Sequence, residues 1–391
     1  MPQQHSPLNK IRPEMVNLSP NMIRDIADLC FDKEDAIMLC FGESDEPTPQ
    51  HIKDAAIQSL TQNDTFYTPN SGVPQLRKAL SQYMERLYDT PVSSDRITVT
   101  TSGMSAIMLA MQALINPGDE VIVVGPVWPN VNGSIRVLSG NIVDVALGEN
   151  AGQWSLDLDH LFDSCTSKTR AIFLNSPNNP TGWTLHRHQQ QAILEFCRLH
   201  GIWIICDDVY ARLVFNTPLA DSFVQIADPN DLVIAINSFS KTWSMTGWRL
   251  GWLTAPAQLT EIFAKLNEFN VAAPTTFVQH AGIAALSADS DPYVESLVCR
   301  LRSNSDLVMD ALCACSRVSI ASPPATFYSF FAVDGVTDSM AFAKKLLRET
   351  GVALAPGAAF GAAGKHCMRM CFAKSESTLA QALERLVPVL S

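Results

Sequence analysis

The sequence is poor in positive charge. It contains 28 lysines and arginines against 39 aspartates and glutamates, which gives a formal net charge of -11 at pH 7. Nucleic acids and anionic membrane surfaces bind proteins through clustered positive charge, so both repel a protein of this sign. We therefore expect neither nucleic acid nor a membrane as a partner, and small molecules as ligands.

Long apolar runs are also missing. No run approaches the roughly 18 consecutive apolar residues that a membrane-spanning helix requires. The first residues, MPQQHSPLNKIRPEM, lack the basic and then apolar profile of a secretory signal. A cytoplasmic protein is the expectation.

The spacings typical of metal and dinucleotide sites are missing too. The ten cysteines are scattered, and the close pairs Cys313-x-Cys315 and Cys367-xxx-Cys371 do not have zinc-ligand spacing. No G-x-G-x-x-G run follows the first predicted strand. We expect buried, reduced thiols, no metal and no dinucleotide.

What the sequence does contain is enough apolar material for two domains. The chain is 47% apolar, and its 391 residues are too many for one compact core. Between about residues 97 and 255, short β-branched runs alternate with amphipathic helical stretches. This pattern predicts an α/β fold in which a mostly parallel sheet is covered by helices on both faces.

The two ends of the chain have a different pattern. The C-terminal part contains a long helical pattern over Ser296–Leu312 and an isolated strand pair near TFYSFFAV. We predict an N-terminal arm and part of a small domain over 1–45, a large domain over 46–285, and the rest of an α+β small domain over 286–391.

Unusual polar sequences occur where the predicted strands end. They are TSGMS, GPVWPN, NSPNNPTG, DDVY and SFSK. Ligands of open α/β sheets bind beyond the carboxyl ends of the strands. These five sequences are therefore expected to form one site.

Two of the strand ends suggest recognition of an anion and of a cation. In TSGMS a strand turns directly into a helix, so Ser102, Gly103 and Met104 present backbone N–H groups that suit a phosphate. Ser102 is equally explained as a helix cap.

In DDVY, Asp207 follows a very apolar strand, where a carboxylate is costly unless it faces a cation. Asp207 is either a cap of the next turn or the partner of a protonated heterocyclic nitrogen, with the Tyr210 phenol nearby.

Three further residues complete the pattern. Asn179 lies in a rigid Pro- and Gly-containing turn that can hold its amide against a ring oxygen. Lys241 is alone in apolar surroundings, which lower the pKa of an amine and make it nucleophilic unless the side chain extends to solvent. Arg249 offers a planar fork to phosphate oxygens. A phosphate site, an acid and a lysine together describe pyridoxal 5′-phosphate.

The chain resembles the class I and II aminotransferases of pyridoxal-phosphate fold type I, the aspartate aminotransferase superfamily. The resemblance extends from GESDEPTP to RMCFA and rests on NSPNNPTG, D-x-x-Y and S-x-S-K-x-x-x-x-x-G-W-R-x-G-W in the family's order and spacing. It implies a large domain with a mostly parallel seven-stranded sheet, a smaller α+β domain from both chain ends, and a homodimer.

The resemblance also implies a role for each matching residue. Lys241 would carry the cofactor and move the substrate proton, Asp207 would pair with the ring nitrogen, and Asn179 and Tyr210 would bind the ring oxygen. The remaining cofactor contacts would come from Ser102, Gly103, Met104, Trp128, Ser238, Arg249 and, across a dimer, Tyr67. The substrate α-carboxylate would bind Arg369, with help from Gly42 and Asn179.

Substrate choice follows less directly from these motifs. Aspartate-preferring relatives in one bacterial branch often carry a lysine where Met104 stands, so the resemblance favours a donor with a neutral apolar or aromatic side chain. The acceptor it implies is 2-oxoglutarate or pyruvate. The same motifs also serve C–S β-lyases and other lyases, and the fold also occurs as a non-catalytic pyridoxal-phosphate-binding module in transcription regulators.

Overall fold

A computed structural model describes residues 6–31, 33, 35–150 and 152–391. Its α-helices are α1 (Pro13–Val16), α2 (Met22–Asp28), α3 (Gln50–Thr61), α4 (Pro74–Tyr88), α5 (Gly103–Leu114), α6 (Asn130–Val137), α7 (Leu158–Asp163), α8 (Arg187–His200), α9 (Phe239–Thr242), α10 (Thr260–Val271), α11 (Thr276–Ala285), α12 (Asp291–Cys313), α13 (Ser339–Thr350) and α14 (Glu376–Leu390). Its strands are β1 (Ile37–Met38), β2 (Ile97–Thr100), β3 (Glu120–Gly125), β4 (Asn141–Ala146), β5 (Gly148–Asn150), β6 (Gln153–Ser155), β7 (Thr169–Asn175), β8 (Trp203–Asp207), β9 (Val233–Ser238), β10 (Gly251–Thr254), β11 (Val318–Ile320), β12 (Tyr328–Val333), β13 (Val352–Ala353), β14 (Ala355–Pro356) and β15 (Cys367–Cys371).

A seven-stranded sheet forms the larger part of the molecule. Its strand order is β2-β10-β9-β8-β7-β3-β4. The strands from β9 to β4 are parallel neighbours, and β10 runs antiparallel to both β2 and β9. The prediction of a mostly parallel seven-stranded sheet is confirmed.

Both faces of this sheet are buried. On β3, Val121 and Val123 belong to one hydrophobic core, and Ile122 and Val124 belong to the core on the opposite face. Successive side chains of a strand point to opposite faces, so a strand covered on both sides must be apolar throughout. The uninterrupted β-branched run of β3 is the result.

A third hydrophobic core combines both ends of the chain. Ile23 and Ile26 of α2 share it with residues of α12, α13 and α14. The expected isolated strand pair is wrong, because β12 lies inside a four-stranded antiparallel sheet of order β11-β12-β15-β14. The sequences of the short, separate strands β14 and β15 show no clear alternation of apolar and polar residues. The domain boundaries that the sequence suggests, between residues 45 and 46 and between residues 285 and 286, stay a prediction.

The connections of the large sheet bring the predicted site together. β7, β8 and β9 end at Asn175, Asp207 and Ser238 on the same edge. Because β10 is antiparallel, its first residue, Gly251, pairs with Ser238 at that edge. Arg249, two residues earlier, is thereby placed among the strand ends. Within the part of the chain that the structure describes, no helix is long and apolar enough to cross a membrane.

Candidate active site

A cavity of about 550 Å³ opens at the carboxyl edge of the seven-stranded sheet. Ligand pockets typically have volumes of roughly 300–1,000 Å³. Of the thirteen predicted site residues, eleven line it: Gly42, Gly103, Met104, Trp128, Asn179, Asp207, Tyr210, Ser238, Lys241, Arg249 and Arg369. The structure thus brings together residues that are up to 327 positions apart in the sequence, from Gly42 to Arg369.

The two other predicted residues lie outside the cavity lining. Ser102 is buried and caps α5, where its hydroxyl accepts a hydrogen bond from the Ser105 N–H at 3.0 Å. The Ser102 side chain therefore acts as a helix cap, one of the two roles that the sequence suggests for this residue. Tyr67 is 90% exposed, so a role for it depends on a second copy of the chain.

One end of the cavity is built from tightly packed backbone. A Cβ atom on Gly251 would lie 2.6 Å from the Gly103 nitrogen, so only glycine lets β10 approach the start of α5 this closely. Ser238 packs against Gly103, and the Ser238 hydroxyl donates to Ser240 at 2.9 Å. Arg249 has a φ of 55°, a left-handed conformation that is rare for a residue with a side chain. This end combines a helix N-terminus, hydroxyls and a guanidinium, which are donors suited to a phosphate.

Lys241 stands on the short helix α9, directly after β9. Its Nζ donates to the Gly42 carbonyl. Loss of hydration lowers the pKa of Lys241 from 10.5 to about 8, an effect opposed by Cys371 and Glu43 and reinforced by the positive charge of Arg369 and Arg249. A substantial fraction of this amine is neutral near pH 7.5 and can attack an aldehyde.

Asp207 ends the apolar strand β8 and is buried. Its carboxylate accepts a hydrogen bond from the Val209 N–H at 3.2 Å, and among the described residues no lysine, arginine or histidine lies within ion-pair distance. Burial raises the pKa of Asp207 to about 7, although the nearby Lys241 charge lowers it. A buried carboxylate that lines a cavity and has no cation within ion-pair distance suits a cationic ligand, and a protonated ring nitrogen is such a group.

A hydrogen-bonded set of residues joins the middle of the cavity to its far side. The Tyr210 hydroxyl lies 2.7 Å from the Tyr328 hydroxyl, and Arg369 donates to Asn179 Oδ1 at 2.9 Å. A Cβ atom on Gly42 would overlap the Tyr328 hydroxyl, so glycine is required there. Asn179 and Tyr210 both line the cavity.

Arg369 is the most deeply buried cation of the site, with 2% of its surface exposed. Its guanidinium donates to the Cys40 carbonyl and lies 4.4 Å and 4.7 Å from the ring centroids of Tyr328 and Phe360. Its Nε has no hydrogen-bond partner among the described residues. A guanidinium that is held by aromatic rings and has an unused donor suits a carboxylate.

The sequence analysis missed several polar residues of the cavity lining, and three of them are Asn175, Tyr328 and Arg24. Asn175 donates to the Asp207 carbonyl at 3.1 Å and accepts from the Asn179 N–H at 2.7 Å. Tyr328 holds Tyr210, and Arg24 enters from α2. Tyr328 lies within TFYSFF, which the sequence analysis interprets only as part of a strand pair. Arg24 lies in an ordinary amphipathic pattern and carried no signal.

The residues present fit pyridoxal phosphate. A cofactor of this kind needs an amine for its aldehyde, an acid for its ring nitrogen and donors for its phosphate. Lys241, Asp207 and the backbone around Gly103 provide these groups in one cavity. Among the described residues, the carboxylate of Asp207 has no cationic partner. The observation that supports the fit is this unpaired buried carboxylate.

Comparisons with known proteins agree with this chemistry. The family model described as aminotransferase class I and II matches residues 34–386. The aspartate aminotransferase of Pyrococcus horikoshii is 32% identical, over 94% of each chain. The aromatic-amino-acid aminotransferase 2 of Thermococcus litoralis is 32% identical, over 97% of each chain. The solved structure of the aspartate aminotransferase from Thermus thermophilus with maleate superposes with a TM-score of 0.92 at 29% identity, and covers 97% of this chain and 99% of that one.

The lowered pKa of Lys241 leads to a prediction about cofactor attachment. Pyridoxal phosphate added to the cofactor-free protein and fixed by borohydride should label one peptide, which contains Lys241. Because only the neutral amine reacts, the initial labelling rate should rise with pH and reach half its maximum near pH 8, the pKa that burial gives Lys241. Lys241→Ala should lose this label and Lys78→Ala should keep it. A label on another peptide, or a midpoint above pH 10, contradicts the assignment.

The neighbouring carboxylates Asp207 and Asp208 allow a matched prediction. Asp207 lines the cavity. Asp208 does not line this cavity, and its carboxylate accepts a hydrogen bond from the Ser222 hydroxyl at 2.6 Å. A charge-assisted hydrogen bond is worth about 1.5–3 kcal/mol, so Asp207→Asn should lower kcat/KM roughly 10- to 100-fold. Asp208→Asn should stay within about twofold of the parent protein. Equal losses in the two variants would refute the role of Asp207.

Proposed function

Because the chain belongs to the aminotransferase class I and II family, we propose that it transfers the amino group of an L-amino acid to a 2-oxo acid by a two-stage, ping-pong cycle. Family membership makes the protein a pyridoxal-phosphate-dependent transaminase. The proposal concerns the substrates, the cycle and the residues that perform it.

One observation carries the proposal. Arg369 donates to the carbonyl of Cys40, and Lys241 donates to the carbonyl of Gly42, two residues later in the same segment. A carboxylate-binding fork and a reactive amine therefore face the same short stretch of backbone. An α-amino acid carries its carboxylate and its Cα–H on adjacent atoms, so a single substrate molecule suits both groups.

The roles of the chain's own residues follow from this arrangement. Pyridoxal phosphate supplies, when bound, an electron-accepting ring that stabilises negative charge at the substrate Cα. Arg369 would orient the substrate by its carboxylate. Lys241 Nζ would take the proton from the substrate Cα, and Asp207 would keep the ring nitrogen protonated. The Tyr210 hydroxyl, held by Tyr328, would donate to the ring oxygen.

The remaining cavity wall supports a neutral donor. Met104, Ile107 and Trp128 line it, and none of these side chains can pair with a distal charge. An apolar or aromatic side chain would lie against them without losing hydration of a charged group. We propose such donors, with 2-oxoglutarate or pyruvate as acceptor. One relative at 32% identity is named an aromatic-amino-acid aminotransferase.

A homodimer is part of the proposal. Tyr67 and Phe66 are 90% and 79% exposed, and Phe269 is 84% exposed. We infer that another chain covers these exposed aromatic side chains, and two-fold symmetry is the commonest arrangement of identical chains. In such a dimer Tyr67 would reach the phosphate end of the partner's cavity.

A donor panel tests the transaminase proposal and its specificity. Each amino acid is paired with 2-oxoglutarate or pyruvate, and the product oxo acid is measured together with ammonia. Phenylalanine and leucine should be converted without ammonia release. Ammonia and pyruvate from a cysteine conjugate, with no amino transfer, would show β-elimination instead.

The wall residue Met104 should control donor preference. Met104→Lys places a cation near the substrate side chain, so the ratio of kcat/KM for aspartate to that for leucine should rise about 10-fold, the size of one partly exposed charged hydrogen bond. Arg369→Lys is the comparison, because it weakens binding of the carboxylate that all donors share and should lower both values equally. An unchanged ratio in Met104→Lys contradicts this account of specificity.

The exposed Tyr67 leads to a prediction about the dimer. The protein should sediment as a dimer at low micromolar concentration. Tyr67→Phe removes only a hydroxyl from an exposed ring, so it should leave the dimer and the thermal midpoint unchanged and raise the Kd of pyridoxal phosphate about 10-fold. A fully active monomer, or unaltered cofactor affinity in Tyr67→Phe, argues against a shared site.

A further inference from the structure

Two tyrosines share one hydrogen bond inside the cavity. Tyr210 follows β8 and Tyr328 begins β12, and both line the cavity. The two hydroxyl oxygens lie 2.7 Å apart, and the two rings are nearly perpendicular, at 80°, with their centroids 5.9 Å apart. Among the described residues, each hydroxyl has only the other as a hydrogen-bond partner. The proposed reaction gives Tyr210 a contact to the cofactor, whereas it gives Tyr328 no group other than Tyr210.

Packing alone does not account for the Tyr328 hydroxyl. Tyr328 is 1% exposed, and a phenylalanine ring would fill the same space. A buried hydroxyl costs free energy unless it forms a hydrogen bond. A Cβ atom on Gly42 would overlap this oxygen, so the chain accommodates the hydroxyl only because residue 42 is a glycine. A polar atom in such a place indicates a role for the oxygen itself.

The neighbours of the Tyr328 ring hold it in one orientation. The guanidinium carbon of Arg369 lies 4.4 Å from its centroid, and the centroid of the Phe327 ring lies 4.7 Å away. The backbone of Tyr328 pairs with Cys371 where β12 meets β15. The fold therefore sets the direction of the Tyr328 hydroxyl before any ligand binds.

Only one proton can lie between the two tyrosine oxygens. Burial raises the pKa of both phenols, and the positive charge of Arg369 opposes that rise, so both hydroxyls are protonated near neutral pH. When Tyr210 donates its proton to the ring oxygen of the cofactor, the proton between the two tyrosines must come from Tyr328. This gives a chain of donors from Tyr328 through Tyr210 to the cofactor, and hydrogen bonds in such a chain strengthen one another.

From these observations we propose that Tyr328 is a positioning residue that makes Tyr210 a stronger hydrogen-bond donor to the ring oxygen of the cofactor. The inference rests on the proposed function, because it assumes the contact between Tyr210 and that oxygen. A stronger donor stabilises negative charge on the ring oxygen, so it lowers the pH at which the bound cofactor loses its proton.

Other charged and titratable groups also face the two tyrosines, and the test leaves all of them in place. They are Arg369 and Cys371 of β15, Glu43 after β1, Asp207 of β8 and Lys241 of α9.

The test compares Tyr328→Phe, Tyr210→Phe, the double variant and the control Tyr88→Phe. Tyr88 is a buried tyrosine outside the cavity lining, and its hydroxyl has no hydrogen-bond partner among the described residues. The absorption spectrum of each holoenzyme is titrated with pH, because the visible band of bound pyridoxal phosphate changes when the cofactor loses its proton. Tyr328→Phe should raise the midpoint by about half a pH unit, the effect of weakening one charge-assisted hydrogen bond by up to about 30%. Tyr210→Phe should raise it by about 1–2 units, and Tyr88→Phe should match the parent protein.

The double variant decides whether Tyr328 acts through Tyr210. Its midpoint should equal that of Tyr210→Phe, because the Tyr328 proton cannot influence the cofactor once the Tyr210 hydroxyl is gone. Tyr328→Phe keeps the ring beside Arg369, so each holoenzyme is also titrated with 3-phenylpropionate, a carboxylate without an amino group. Tyr328→Phe should bind it with the Kd of the parent protein.

The outcomes separate failure of this inference from failure of the proposed function. An unchanged midpoint in Tyr328→Phe, or a further rise in the double variant, overturns the role of Tyr328 as a positioning residue. Weaker binding of 3-phenylpropionate by Tyr328→Phe overturns it as well, because Tyr328 would then act at the carboxylate end. A shift in Tyr210→Phe together with any of these results leaves the proposed contact of Tyr210 intact. An unchanged midpoint in Tyr210→Phe overturns both that contact and the inference.

Discussion

The site depends on one constraint: charged groups are withdrawn from water at the edge of a sheet, and the protein gives them only part of the contacts that they need. Among the residues that the structure describes, Asp207 has a single backbone donor, and Arg369 retains an unbonded Nε. Within the same part of the chain, the Lys241 amine has one hydrogen-bond partner, the Gly42 carbonyl, and lies 5.9 Å from the centroid of the Phe327 ring. Buried charges are costly when unpaired, so these three groups suit a ligand that completes their contacts. The rest of the fold holds the three groups close enough for one ligand to reach them.

The sheet meets this constraint by its topology. Asp207 ends β8, and Ser238 ends β9 directly before α9, the helix that carries Lys241. Strand β10 runs antiparallel to its neighbours in this sheet and therefore begins at the edge where the parallel strands end. Arg249, just before β10, lies at that edge for this reason. Arg369 comes from the smaller sheet, on β15. The cavity therefore lies where the two layers meet, and the carboxylate end and the phosphate end belong to different sheets.

Much of this arrangement could be predicted from the sequence, because a polar residue after an apolar strand is locally conspicuous. Asp207 in DDVY and Lys241 in SFSK are of this kind, and both line the cavity. Tyr328 and Arg24 could not be found in this way. Tyr328 lies inside an apolar strand and differs from a packing tyrosine only through Tyr210, 118 residues away. Arg24 is an ordinary exposed residue of α2, and only the packing of that helix over the cavity makes it part of the site.

The central proposal is that one cavity binds an amino acid through Arg369 and transfers its amino group to pyridoxal phosphate, with Lys241 moving the Cα proton. Its most direct test is a half-reaction, in which the cofactor-loaded protein is mixed with phenylalanine in the absence of any oxo acid. The account predicts release of one equivalent of phenylpyruvate per active site, no ammonia, and a second equivalent only after 2-oxoglutarate is added. Continuous release of phenylpyruvate or ammonia without an acceptor would contradict it, as would an unchanged yield in Lys241→Ala.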